Sequence, residues 1–169
     1  IRRLGTMHAV VRSEIPHQAT LADRLTQALA EKPTGLAAPA PVLTAPAAIG
    51  ARVDAPGAAW RGGTVLGVDR RFWPAAAGRE PPVPQPQGRN VLISSFLGAE
   101  LGVDTGDFLL VTARPGLQGP GTSIFSHRDR SRAGRSFRVR VAGMLSGSAD
   151  RFSLEPGVSE PYTVLADLA

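Results

Sequence analysis

The sequence predicts an α+β fold, a mixed β-sheet with a few short helices, and three observations carry that prediction. Short runs rich in Val, Ile, Leu and aromatic residues, bounded by Gly, Pro, Asn or Asp, recur along the chain and read as about seven strands. Only two stretches carry clear helical signals, and the elements follow in mixed order, unlike the strict alternation of a doubly wound sheet. A length of 169 residues is enough for one domain to bury a core of its own.

Met7 to Val11 reads as a first strand, and Pro16 breaks it. Thr20 then opens a helix in which Leu21, Leu25, Ala28 and Leu29 share one face, while Asp23, three residues on, completes a capping pair at the favourable end of the helix dipole. Pro33 and Gly35 end it. From Leu36 to Gly57 the composition turns to Ala and Pro, which predicts extended chain with strands near Val42 and Val53. Thr64 to Val68 is the next strand, and after it Phe72 and Trp73 anchor a loop in the core, since two such rings bury more apolar surface than any neighbour. Residues 74–89 are Pro-rich; the run Pro81 to Pro86 favours polyproline II and reads as a flexible surface loop.

Asn90 to Ala113 is the most fully specified stretch. Val91 to Ile93 forms a buried strand, and Ser94 or Ser95 caps the helix that follows, whose Leu97 and Leu101 share a face. Gly102 stops this helix by entering the left-handed conformation, and Val103 folds back onto its last turn. Thr105, Gly106 and Asp107 make a turn, and Phe108 to Val111 resumes as a strand. Residues 114–136 form a second flexible loop, broken by Gly116, Gly119, Pro120 and Gly121. It leads into a half-buried strand in which Phe137, Val139 and Val141 face the core and Arg138 and Arg140 face solvent. Arg151 to Leu154 and Tyr162 to Leu165 are the last apolar pieces.

Composition excludes several function classes. There is no cysteine, hence no disulfide framework and no thiolate metal site. His8, His17 and His127 are scattered at no metal-binding spacing, so neither a metal nor a cofactor is assigned. Ser94 and Ser95 lie outside any Gly-x-Ser-x-Gly elbow, Gly116 to Gly121 lacks the lysine of a phosphate loop, and Asp69 and Asp107 sit in turns where bonding to local backbone accounts for them. A hydrolase using Ser94 is therefore the weakest reading. The longest uncharged run, Leu36 to Gly50, is interrupted by Pro39, Pro41 and Pro46 and falls short of the roughly 20 apolar residues of a membrane span. A start at Ile1 with no charged and apolar leader reads as a piece of a longer protein.

Of the 19 basic residues only Lys32 is a lysine, a bias that fits GC-rich coding as well as it fits a selected surface, and the net charge is +5. Six arginines lie between Arg128 and Arg140. Arg128, Arg130, Arg132 and Arg135 are the candidates for contact with an anion such as a lipid head group, against a plain solvated loop. Nucleic acid is not expected, because Phe137, the one aromatic within that run, is assigned to the core and cannot stack on a base.

Four pieces in order resemble the extracytoplasmic core domain of MacB-like ABC transporter permeases, members of the FtsX superfamily. They are Val65 to Asp69 with Phe72-Trp73, the turn Leu101-Gly102-Val103-Asp104-Thr105-Gly106-Asp107, Arg151 to Leu154, and Val164 to Leu168. The Thr20 to Leu29 helix matches more faintly. An LG-x-x-x-GD turn is shared with double-psi barrels and other small β domains, so order and spacing carry the resemblance. The chain departs from the family at Ser94, where asparagine is usual, at Gly98, where alanine is usual, and in a longer insert from Pro74 to Gln87.

The resemblance implies a non-catalytic periplasmic domain of an inner-membrane permease, set between two transmembrane helices and composed of two interleaved subdomains. It implies as partners its own transmembrane helices, an ABC ATPase subunit reached through the membrane part, and a second permease in a homo- or heterodimer. In that setting the domain couples cytoplasmic ATP hydrolysis to substrate handling or mechanical work outside the membrane. Gly67, Asp69, Phe72, Trp73, Leu101, Gly102, Gly106, Asp107 and Phe152 become structural motif residues. A stand-alone β-rich module for anionic lipid or nucleic acid, using Arg128 to Arg140, is the alternative.

Overall fold

A computed structural model describes residues 10–11, 20–31, 38–51, 59–77, 85–113, 135–154 and 161–168. In chain order the elements are α1 (Thr20–Ala30), β1 (Val42–Ala51), β2 (Trp60–Val68), α2 (Phe72–Ala77), β3 (Asn90–Ile93), α3 (Ser95–Leu101), β4 (Phe108–Ala113), β5 (Arg135–Met144), α4 (Gly147–Asp150) and β6 (Thr163–Asp167). The fold is α+β with a mixed sheet, and the sheet closes into a six-stranded barrel in the order β1-β2-β6-β3-β5-β4.

The pairing explains why the closure is stable. β1 runs antiparallel to β2 and β4, and β4 antiparallel to β5. β6 lies parallel to β2 and antiparallel to β3, while β3 lies parallel to β5. Exchanging β1 with β4, β2 with β5 and β3 with β6 leaves this set unchanged, so the barrel is two interlocked halves, each a hairpin, a helix and a third strand. In each half the third strand is donated to the other half's hairpin. β6 lies between β2 and β3, and β3 between β5 and β6, so each of these two connections passes over a strand, and α2 and α4 sit in them. The expectation of two interleaved subdomains is corrected on this ground: both halves share one closed sheet and one interior, leaving no second unit among the described residues.

Two apolar layers follow from strand alternation. Ala47, Ile49, Ala51, Val91, Ile93, Leu109, Val111, Val141 and Val164 point into the barrel, and Leu97, Leu101 and Val103 close one end of it from α3 and its exit. On the outside, Leu66, Val68, Leu92 and Leu165 are covered by Phe72 and Trp73 of α2, Ala149 of α4, Leu145 and Phe152. A β-bulge between Val91 and Leu92 places Val141 and Gly143 opposite consecutive residues of β3 and bends β5, so that the Leu145 N–H reaches the Ile93 carbonyl at 2.8 Å.

Several expectations change. The helix at 20–30 is present, but its buried residue is Ala22; Leu25 is 42% exposed and Ala28 is exposed, so the Leu21, Leu25, Ala28 and Leu29 face is not the packed one. At its first turn α1 is joined to the barrel by the Asp23–Arg71 ion pair. Phe72 and Trp73 are core, yet they open a helix rather than anchor a loop; Pro74 is tolerated in its first turn, where its missing N–H costs no bond. Residues 74–77 thus leave the expected loop, and Arg135 and Ser136 leave the other one to start β5.

Arg151 to Leu154 is a turn and coil in which Phe152 is buried, because the chain must recross the barrel from α4 to β6. Phe137 is 49% exposed rather than buried. It pairs with Val111 and so lies on the interior side of β5, but at a level where the strand overhangs the barrel. Six strands are described rather than about seven; the piece at Met7 to Val11 is described only at 10–11, without regular structure, and Val53 lies outside the described residues.

Candidate functional site

The motif residues converge on the α3 end of the barrel and on its α2-covered flank, and each can be followed from local geometry. Ser94 has extended backbone (φ −64°, ψ 146°) and its hydroxyl caps α3, accepting from the Leu97 N–H at 3.3 Å. The same oxygen accepts from the Thr163 N–H at 3.2 Å and donates to the Pro161 carbonyl at 2.7 Å. Ser94 is fully buried. Its donor and both acceptor sites are used, so the hydroxyl ties β3, α3 and β6 together and has no proton or lone pair left for nucleophilic work.

Ser95 meets a carboxylate from far along the chain. Asp150 of α4 accepts from the Ser95 N–H at 2.6 Å and from its hydroxyl at 2.5 Å. Asp150 is itself buried, and negative charge at the start of α3 complements the helix's exposed N–H groups. Sequence reading missed this residue; an acidic residue beside a one-turn helix gives no local sign that its partner stands 55 residues away.

α3 ends as its sequence dictates. Gly102 is left-handed (φ 62°, ψ 43°), and the Val103 N–H returns to the Gly98 carbonyl at 3.0 Å. The next turn is closed by Asp107, whose carboxylate accepts from the Asp104 N–H at 2.9 Å, with Gly106 at φ 102°. The Gly106 N–H donates to Val141 at 2.8 Å and the Val141 N–H to Asp107 at 2.8 Å, stitching the turn to β5. Leu101 is buried against the barrel interior.

On the flank, Asp69 accepts from the Arg71 N–H at 2.9 Å and from Arg71 Nε at 2.7 Å, while Arg71 Nη1 reaches Asp23 of α1 at 2.8 Å. The Asp69 hydrogen bond, and then that of Asp23, hold the Arg71 guanidinium above its already high ordinary pKa. The guanidinium therefore stays charged throughout ordinary pH, and its part of the bridge is lost as pH rises through that raised pKa. Phe72 meets Trp73 and Phe152 edge to face, with ring centroids 5.3 and 5.0 Å apart. Gly67 is buried, and a Cβ there would meet Leu168 Cδ1 at 3.0 Å and Leu43 Cβ at 3.4 Å.

The expected anion-contact residues divide. Arg128, Arg130 and Arg132, with His8, His17 and His127, lie outside the described residues. Arg135 is exposed at the start of β5. Arg138 and Arg140, expected on the solvent side of their strand, stand on the barrel's outer face. The Arg138 guanidinium lies 4.3 Å from the centre of the Phe108 ring, and Arg140 is paired opposite Phe108. Phe108 is 48% exposed. The signal that could have found this pair is a register argument: once β4 and β5 are placed antiparallel, Phe108 and Arg138 fall on one diagonal.

Among the described residues no three His, Asp or Glu side chains gather as a metal site would require. No helix among them is long and apolar enough to cross a membrane. The chemistry on view is thus helix capping, turn closure and cross-strand stacking. No known family model matches the chain, and no curated protein does.

Proposed function

We propose that the chain is a non-catalytic extracytoplasmic domain of a MacB-like ABC transporter permease, which transmits the work of cytoplasmic ATP hydrolysis to a substrate or partner outside the membrane. The order and spacing of Val65 to Asp69, Leu101 to Asp107, Arg151 to Leu154 and Val164 to Leu168 motivate the reading. One structural observation carries it furthest. Val42, where the chain enters the barrel, and Asp167, where it leaves, both pair with Val68. Entrance and exit are therefore two strand spacings apart, about 10 Å, as a domain set between two neighbouring membrane helices requires.

The motif residues fit this role because each is spent on architecture. Gly102 ends α3 and Asp107 closes the turn after it, Asp69 fixes Arg71, and Phe72, Trp73 and Phe152 fill one core. A domain that passes on force needs rigidity of this kind rather than a reactive group. The pairing of permeases implied by the family belongs to the proposal.

The test is the complete reading frame. The proposal expects an apolar span of about 20 residues on each side of this segment. A full-length product without a span on either side would end it.

A further inference from the structure

We propose that the outer face of β1, β4 and β5 docks on an anionic lipid bilayer, its arginines meeting head-group phosphates and its aromatic rings seated among the head groups. The barrel's outside is divided in two. Over β2, β6 and β3 it is covered by α2, α4 and Phe152. Over the other half, large apolar and cationic side chains stay in the open.

The pairing places them in one array. Trp60 is paired with Gly50, Gly50 with Leu110 and Leu110 with Arg138, so these four stand in a row on the outer face. Three strand spacings make that row about 14 Å long. Phe108 and Arg140 form the next pair along β4 and β5. Trp60 is 42% exposed and lies flat: a Cβ at Gly50 would stand 2.8 Å from the indole, so glycine is what lets the ring rest on the sheet with its other face outward. After Val42 the outer positions of β1 are Thr44, Pro46, Ala48 and Gly50, all small and uncharged, so a flat surface can approach closely along the strand.

Charge identifies the occupant. β1, β4 and β5 contain no Asp or Glu, while β5 carries Arg135, Arg138 and Arg140. Arg89 adds a further cation at the edge, where its carbonyl accepts from the Arg140 N–H at 2.9 Å. Among the described residues none of these arginines forms an ion pair. Asp104 and Asp107 are exposed in the turn before β4, but the outer positions of the three strands carry charge of one sign only, Arg138 and Arg140, which disfavours a second copy of the chain. Single-stranded nucleic acid would need several open ring faces in succession, whereas Trp60 is the one ring lying flat with a face outward and Phe108 has one face taken by Arg138. A bilayer interface asks only for ring bodies at head-group level and arginines beside phosphate. The barrel would then lie on its flank, with the start of β1 at one end of the contact.

The inference does not rest on the permease reading, and the two fail separately: flanking spans decide that reading, lipid binding this one. The chain is co-sedimented with phosphatidylcholine vesicles with and without phosphatidylglycerol, and tryptophan emission is followed. Trp73 is buried, so a blue shift and loss of quenching on binding report Trp60. The proposal expects retention on the phosphatidylglycerol vesicles only, weakened by salt. Retention should fall about tenfold to thirtyfold in the double variant Arg138→Gln, Arg140→Gln. The charge-matched control Arg24→Gln, Arg70→Gln, at exposed positions off this face, should bind as the parent does. An equal fall in the control would show a net-charge effect and overturn the assignment, as would absent retention or an unchanged Trp60 signal. Tighter retention on single-stranded DNA than on vesicles at the same ionic strength would replace lipid with nucleic acid.

Discussion

Ser94 shows how much of this fold can rest on one hydroxyl. It caps α3, receives the Thr163 N–H and donates to the Pro161 carbonyl, all from a buried position. Ser94→Ala removes a cap and strands buried backbone groups, so urea unfolding should show a loss of about 2–4 kcal/mol. Gly98 makes the opposite case. A Cβ there would meet Met144 at Cε (2.8 Å) and Sδ (3.0 Å), the far end of a flexible side chain. Alanine also gains about 1 kcal/mol of helix propensity over glycine. Gly98→Ala should therefore leave stability unchanged or raise it by up to about 1 kcal/mol, and a loss beyond about 1 kcal/mol would mean that Met144 cannot yield.

At the scale of elements, α1 is the least secured. It is eleven residues long, buries only Ala22, and is pinned by the Asp23–Arg71–Asp69 bridge. A helix of that length is marginal alone. Arg71→Ala should change global stability by less than about 1 kcal/mol, since the bridge is partly exposed, yet hydrogen exchange in α1 should quicken while that of β3 stays put. What the sequence disclosed about elements follows the same physics. α3 was legible down to its cap and its left-handed glycine, because every signal for it lies within a few residues. α2 was not, because Trp73 and Pro74 read as a break, and only packing on Phe152 makes a short helix worthwhile there. Phe137 was assigned the correct side of its strand but the wrong level, and level is fixed by Val111 on β4, across a long connection. Asp150 and Arg138 were invisible as partners for the same reason: each depends on register between distant segments.

For the whole molecule, the pairing of β2 with β6 and of β3 with β5 decides the behaviour. Neither half can leave without opening the sheet of the other. Urea unfolding followed by Trp73 emission and by far-ultraviolet circular dichroism should give coincident transitions, whereas two separated transitions would restore the two-subdomain picture. The closed sheet also presents one covered and one open flank, and brings the chain in and out beside Val68. A domain so arranged can be held at one end by membrane helices while it meets a partner along its side.

The central claim is that this barrel stands outside the membrane. The chain has no cysteine, so Ser148→Cys, at an exposed position in α4, places a single thiol on the domain without background from the rest of this segment. In intact cells producing the full-length protein, made cysteine-free outside this position, a membrane-impermeant maleimide should label that thiol to the same extent as in lysed cells. Labelling that appears only after lysis would place the domain on the cytoplasmic side and contradict the account.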